Sequence, residues 1–346
     1  MVTLNILSMT YEKFVQKIQE LGLEKYRADQ ILDWIYKKHV FVFEQMTNLS
    51  KQHRSLLREN FCIQIPKIVS KRVSSIDKTT KYLYELSDGN TIESVLLFHE
   101  GYATACISTQ IGCPVKCSFC ATGQSGFVRN LDAGEIVSQI LAIEKDSKQT
   151  VRNIVYMGMG EPLLNYDNVI KSIKILIDKK TKNIGIRRVT LSTVGIPEMI
   201  LKLSEERLDL NLAISLHAST NEKRDQIIPI NRKYSIQEII NAAKNYQERS
   251  DRRLTIEYIL IKEFNDFDED ARKLAKLLNG LKVFVNLIPV NSTFSNFEKP
   301  AKWKINRFKE ILINSGIEAE IRYEKGADIE AACGQLRIRN LLSKQL

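Results

Sequence analysis

From Gly101 onward the chain repeats one pattern, a short apolar run followed by an amphipathic stretch at helical spacing. The strand candidates are Thr104–Thr109, Asn153–Met157, Arg188–Ser192, Leu212–Leu216, Thr255–Ile259, Val283–Ile288 and Glu318–Arg322. Between them lie Ala133–Lys145, Val169–Lys179, Pro197–Leu203, Ile236–Tyr246, Glu269–Leu278 and Lys304–Ile313, with apolar residues at helical intervals. Strands separated by helices pair in parallel, because a parallel neighbour needs a crossover connection. Six or seven such units predict an α/β fold, a partial barrel of the (βα)6 type over 101–346. In such barrels the chemistry collects where strands end. Asp132 with Glu135 three residues on predicts a capping box at the first of these helices.

Two smaller units precede the barrel. Residues 1–62 carry helical stripes at Phe14, Ile18 and Leu21, at Ile31, Trp34 and Ile35, and at Leu56 and Leu57, and predict a small helical domain. Residues 63–100 are strand-like: Lys67–Val73, Lys81–Leu86 and Thr91–Phe98, the last two joined by the turn signal Asp88-Gly-Asn90. They predict a β-rich connector. Hydrophobic residues at 44% and charged residues at 27% exclude a disordered or collagen-like chain. No run approaches the ~18 apolar residues of a membrane span, and Met1-Val-Thr-Leu-Asn5 lacks the shape of a signal peptide. A cytoplasmic protein without membrane contact is expected. The net charge of +10 permits a polyanionic partner without requiring one.

Six cysteines in such a chain point to metal or redox chemistry rather than a disulfide framework. Three of them stand in Ile111-Gly-Cys113-Pro-Val-Lys-Cys117-Ser-Phe-Cys120-Ala-Thr-Gly123, directly after the first barrel strand. One loop with this spacing brings three thiolates to one centre. Structural zinc wants four ligands, and iron–sulfur clusters usually take four thiolates. Either a distant residue such as His217 completes a zinc site, or one iron of a four-iron cluster stays open for a substrate. Cys62 has no motif and is expected to be structural.

The spacing CxxxCxxC after the first strand of a βα barrel, with Phe119 before the last cysteine, resembles the radical-SAM superfamily. The resemblance implies a 4Fe-4S cluster on Cys113, Cys117 and Cys120 and S-adenosylmethionine bound at its open iron. Met157-Gly-Met-Gly160-Glu161-Pro162 is similar to the superfamily's segment that contacts the methionine amine, so Gly160 and Glu161 are expected to bind S-adenosylmethionine. Ser192, Ser215, Leu216, His217 and Asn291 stand at later strand ends and are expected to join them. Singly, each would more often be a turn or cap residue; their joint place at one rim raises the odds.

Gly158-Met-Gly-Glu-Pro-Leu-Leu-Asn165, Ser215-Leu-His217, Pro229-Ile-Asn-Arg-Lys-Tyr234 and Ala332-Cys-Gly-Gln335 together resemble the RlmN/Cfr family of RNA adenine methyltransferases, over nearly the whole chain. Ala218-Ser-Thr220 departs from the family's usual proline-containing segment. The wording is closer to the adenine-C2 branch; the alternative is Cfr-like methylation at C8. Adenine C2 lies between two ring nitrogens and is too electron-poor to attack a sulfonium methyl. The resemblance implies a route around this. Cys333 is methylated by one S-adenosylmethionine; a second is cleaved to a 5′-deoxyadenosyl radical, which removes a hydrogen from that methyl. The resulting methylene radical adds to C2, Glu93 takes the C2 proton, and Cys106 releases the product through a transient disulfide with Cys333. Bare of this context, Cys106 would be a small buried strand residue and Glu93 a solvent-side carboxylate.

The resemblance implies 23S rRNA and tRNA as substrates, two S-adenosylmethionine per turnover, an external electron donor such as flavodoxin, and a monomer. The expected RNA contacts are Lys37-Lys38, Lys71-Arg72, Lys179-Lys180 with Lys182, Arg187-Arg188, Arg252-Arg253 and the stretch from Arg322 to Arg339, with residues 1–62 helping to hold RNA. Two other classes stay open: a different radical-SAM reaction, in which Cys333 would be dispensable, and a zinc-stabilised RNA-binding protein, which would hold zinc and no iron.

Overall fold

A computed structural model describes residues 3–291, 297–322 and 324–336. The N-terminal domain holds three helices, α1 (Tyr11–Glu20), α2 (Lys25–Tyr36) and α3 (Lys51–Asn60). Thr10 and Ser50 cap α1 and α3, accepting from the backbone N–H groups of Lys13 and His53. The expected stripes face inward, with Phe14, Ile18, Ile31, Ile35 and Leu57 buried. The domain is not purely helical: Leu4–Asn5 pairs in parallel with Phe61–Cys62 and ties its two ends together.

The central sheet has ten strands whose spatial order is their chain order. They are β1 (Lys67–Val73), β2 (Thr80–Glu85), β3 (Thr91–His99), β4 (Tyr102–Cys106), β5 (Val151–Tyr156), β6 (Val189–Thr193), β7 (Asn211–Ser215), β8 (Leu254–Leu260), β9 (Val283–Pro289) and β10 (Glu318–Ile321). From β4 to β10 each pair is parallel. From β1 to β4 each pair is antiparallel. The segment expected as a connector is therefore a continuation of the barrel sheet. Its hairpin turns at Asp88-Gly-Asn90, where Gly89 has φ +79° and the Asp88 carboxylate accepts the Asn90 N–H. Among the described residues the sheet does not close, since its edge strands β1 and β10 are not paired to each other. Exposed Lys67, Lys71 and Arg72 keep the β1 edge charged, which discourages edge-to-edge pairing.

The crossovers run through α4 (Ala133–Ser147), α5 (Tyr166–Ile177), α6 (Pro197–Glu205), α7 (Ile236–Ser250), α8 (Asp268–Leu278) and α9 (Lys302–Asn314). Asp132 and Glu135 form the expected capping box, and Ser235 with Glu238 forms a second. Pro197 opens α6, where its missing N–H costs nothing. No helix among the described residues is long and apolar enough to cross a membrane.

The N-terminal domain is locked to α4 by polar contacts. Buried Glu144 receives the Val151 N–H at 2.8 Å, Lys182 at 2.7 Å and His39 at 3.0 Å. Asp29 receives Lys180 at 2.7 Å and the Tyr11 hydroxyl at 2.8 Å, and Ser8 donates to Asp132. Asp132 thus caps a helix and anchors a domain. Asp132→Ala is expected to cost about 1 kcal/mol, seen as a lower urea midpoint with an unchanged m-value.

Candidate active site

The cysteine loop is carried by a hairpin that the sequence did not announce. After β4 the chain forms Gln110–Gly112, antiparallel to Phe127–Asn130, and the loop from Cys113 to Cys120 hangs between them. Gly112 has φ +75°, and a Cβ there would lie 1.8 Å from the Gly126 carbonyl oxygen, so only glycine lets the arms approach. Cys113 N–H donates to that same oxygen at 2.9 Å, and Ser118 N–H donates to the Ile227 carbonyl at 3.0 Å.

Cys113, Cys117 and Cys120 line one open cavity of about 170 Å³ at the ends of the parallel strands. Burial pushes the Cys113 thiol up to about 12 and Cys117 well above the usual thiol range. A metal centre must therefore displace their protons on binding. Among the described residues, no three His, Cys, Asp or Glu side chains gather around a point suited to a single ion. A cubane spreads its irons, so its thiolates need not converge in that way. His217 is a poor fourth ligand. Its Nδ1 accepts the Ile259 N–H at 3.1 Å, and burial lowers the imidazole to about 3, so the ring is neutral. With Nδ1 engaged as acceptor, Nε2 carries the proton and is a donor. The ring meets Phe119 edge-on, 5.0 Å between centroids. Three thiols on one loop, with His217 turned to other partners, suit a four-iron cluster with an open iron better than structural zinc.

The same cavity is lined by Gly160, Glu161, Ser192, Ser215, His217 and Asn291. Gly160, φ +104°, passes so close to Gln110 that a Cβ would lie 2.6 Å from that side chain. Glu161 accepts from Leu163 N–H (3.0 Å) and Val194 N–H (2.8 Å), which joins the ends of β5 and β6. The Ser192 and Ser215 hydroxyls lie 3.4 Å apart. Leu216 differs from its neighbours: its side chain is in the core, it does not line the cavity, and its carbonyl is taken by Arg224. Asn291 reaches the Cys333 carbonyl at 3.3 Å or, with its amide turned, the Glu324 carboxylate at 3.0 Å.

Cys333 lines this cavity and an adjoining one, of about 260 Å³, that is also lined by Cys106. Desolvation, then the neighbouring Cys333, push the Cys106 thiol up to about 12. Both are free thiols, as are all six cysteines, so no disulfide braces this fold. The Cys333 loop rests on the cluster loop through Ala121 N–H to the Gly334 carbonyl, 2.7 Å. Glu93 is buried on β3 and lines neither cavity. Its carboxylate stands 3.6 Å from the Lys81 ammonium, which donates to the Glu330 carbonyl at 2.8 Å, below the Cys333 loop. Cys62 is half-buried, 3.9 Å from the Thr3 carbonyl, and remote from both cavities.

Two groups at this site, Glu257 and Arg224, escaped the sequence reading, and a third, Arg322, was expected as an RNA contact rather than as a cavity residue. Arg322 lines both cavities and stands 3.6 Å from Glu257, which lines the first. Arg322 follows the last strand, so the strand-end logic used for Ser192 could have found it. Arg224, behind the wall, lies in a polar run with no visible signal. The basic pairs fare differently. Lys37 pairs with Asp33, Lys71 with Asp146, Lys180 with Asp29, Lys182 with Glu144 and Arg253 with Glu318. These cations have intramolecular partners, which weakens them as phosphate ligands. Arg337 and Arg339 lie outside the described residues.

Residues 107–278 match the model of the radical SAM superfamily, and residues 4–63 that of the ribosomal RNA large subunit methyltransferase N-terminal domain. A protein of Thermosipho melanesiensis is 65% identical over 97% of this chain and 99% of its own. One of Thermotoga neapolitana is 63% identical over 98% and 99%. Both carry the name "probable dual-specificity RNA methyltransferase RlmN". The chain belongs to the RlmN family of radical-SAM RNA methyltransferases. A crystal structure of a radical SAM methyltransferase from Sphaerobacter thermophilus superposes with a TM-score of 0.93 at 40% identity, covering 96% of this chain and 99% of that one. The enzyme is thus a transferase acting on RNA, and its family implies a 4Fe-4S cluster and S-adenosylmethionine.

Burial, opposed by hydrogen bonds from Val194 and Thr193, raises Glu161 from 4.5 to about 7. Between those pH values the unfolded chain has lost a proton that the folded chain keeps, so stability falls as pH rises, by about 3 kcal/mol. In the metal-free protein, Glu161→Gln is expected to remove that loss. Urea unfolding at pH 4.5 and pH 8 checks it.

Proposed function

We propose that this enzyme forms 2-methyladenosine in 23S rRNA and in tRNA, with Cys333 as methyl carrier and Cys106 as the thiol that releases the product. The observation carrying this reading is the shared wall: Cys333 borders both the cavity of the three cluster cysteines and the cavity of Cys106. Cys113, Cys117 and Cys120 would hold the cluster. Gly160, Glu161, Ser192, Ser215, His217 and Asn291 would hold S-adenosylmethionine, with Leu216 placing its neighbours. When bound, cluster and S-adenosylmethionine supply a methyl donor and a hydrogen-abstracting radical, two S-adenosylmethionine per turnover.

The chain's own residues do the rest. The Cys333 sulfur takes a methyl group and presents the derived methylene to adenine C2, where a carbon–carbon bond forms. The radical adduct gives up one electron to the external carrier, and the C2 proton passes to Glu93. Because Glu93 lies behind Lys81, and Lys81 holds the Glu330 carbonyl, this transfer requires the Cys333 loop to shift as RNA enters. The Cys106 thiolate then attacks the Cys333 sulfur. The sulfur–sulfur bond forms, the sulfur–carbon bond breaks, and the electron pair goes to the methylene carbon, which takes a proton as methyl. Arg322 assists by opposing the protonation of Cys106, whose thiol burial otherwise favours. The adenine must leave its stack to reach this depth, which favours loops over duplexes. An external one-electron donor such as flavodoxin would return the disulfide to two thiols in two successive transfers with two protons, and would supply the electron for the cluster. One chain carries every residue named, so a monomer working in the cytoplasm suffices.

Mass spectrometry of RNA digests after anaerobic turnover tests the proposal. The wild type is expected to give 2-methyladenosine and Cys333→Ala none. Cys106→Ala should accumulate RNA covalently attached to protein. Product formation by Cys333→Ala would overturn the carrier role, and 8-methyladenosine would move the reaction to C8.

A further inference from the structure

Arg224 sits on the short helix Asn221–Ile227, and its side chain is wholly buried. Nε donates to the Leu216 carbonyl at 2.9 Å and Nη1 to the Asn231 amide oxygen at 2.8 Å. Nη2 donates to the carbonyls of Val194, at 2.5 Å, and Ser215, at 3.2 Å. All four acceptors are neutral. Asp225 and Glu161 act on the guanidinium through space rather than by hydrogen bond. A buried guanidinium usually faces a carboxylate, because a desolvated lone charge is costly.

Its position suggests what balances it. Val194 and Ser215, whose carbonyls it holds, line the cavity of the cluster cysteines. Ile227, on the same helix, receives the N–H of Ser118, next to Cys117. The guanidinium thus lies directly behind the wall of that cavity. Its field favours the ionised forms of Cys117 and Glu161 and opposes a charge on His217.

We propose that Arg224 is a built-in counter-cation for the iron–sulfur centre and raises its reduction potential. The proposal rests on the reading that Cys113, Cys117 and Cys120 hold a four-iron cluster. Three thiolates give such a centre net negative charge, and reduction adds one electron without a proton. A fixed cation in a low-dielectric wall stabilises the reduced form more than the oxidised form. Neutral hydrogen-bond partners leave that cation largely uncompensated. Asp225 opposes it from the next position in the chain. It accepts from the Asn231 amide at 2.6 Å, a bond that an asparagine oxygen can also accept. Removing the cation and removing the carboxylate should therefore move the potential in opposite directions, which a purely structural keystone would not do.

The test uses the full chain, reconstituted anaerobically, with iron and sulfide analysis and an EPR-monitored dithionite titration. At the wild-type midpoint, the reduced-to-oxidised ratio is expected to fall at least tenfold in Arg224→Gln, equivalent to 59 mV. In Arg224→Lys, which keeps the charge, it should stay within about threefold of wild type, a drop of about 0.6 kcal/mol at most by the same conversion. In Asp225→Asn it should rise. An unmoved ratio in cluster-loaded Arg224→Gln overturns the proposal. If Arg224→Gln fails to fold or to load, Asp225→Asn decides, and an unchanged or lowered ratio there overturns it. A wild-type protein that binds no iron overturns the cluster reading and this proposal together; a loaded cluster with an unmoved potential overturns this proposal alone.

Discussion

Parallel pairing in strict chain order is the constraint on which the rest depends. Because β4 to β10 run the same way side by side, all seven carboxyl ends open on one rim. Residues far apart in sequence, from Cys113 to Asn291 and Cys333, meet there without any long-range pairing rule of their own. Failure to close is part of the same design. A closed sheet would fill its interior with side chains, whereas this open one leaves room for a cavity on each side of the Cys333 loop.

Desolvation is the second organising force. The wall of the cavity raises Cys113, Cys117 and Glu161 and lowers His217 and Arg224, each time disfavouring the charged form. Such a wall is poorly solvated for isolated charge and well suited to a ligand that brings compensating charge. An ammonium group meeting Glu161, or a cluster meeting three thiolates, converts that cost into binding.

Much of this architecture is legible in the amino-acid sequence itself. Period-two and period-3.6 patterns locate the strands and helices within a few residues, because the inner strands of the sheet are buried and most helices turn one face to the core. The cysteine spacing and the strand-end rule find most of the cavity wall. What stays hidden has physical reasons. The Gln110–Gly112 hairpin is three residues long on one side, too short for periodicity. The burial of Arg224 inside Asn-Glu-Lys-Arg-Asp-Gln is set by tertiary packing, not by its neighbours. The basic pairs look like phosphate ligands because sequence cannot show that Asp33, Asp146, Asp29 and Glu144 already meet them. Leu216 groups with Ser215 and His217 by adjacency, although strand alternation turns it to the other face.

The antiparallel extension holds the loop of exposed Cys333 without burying its sulfur. Few regular elements surround Cys333, yet its loop is tied at several points. Gly326 N–H meets Asp77, Lys81 meets the Glu330 carbonyl, Ala121 N–H meets the Gly334 carbonyl, and Asn291 meets Cys333 itself. Asp77 and Lys81 belong to the extension, Ala121 to the cluster loop. The neutral ties are worth roughly 0.5–1.5 kcal/mol net each and those to Asp77 and Lys81, which engage charged groups, roughly 1.5–3. The carrier role proposed for Cys333 calls for such graded restraint, which packing into a core would not allow. Glu93 stands on the extension beside Lys81, so the contact that holds the loop also screens the carboxylate proposed as proton acceptor, and a single displacement would expose both.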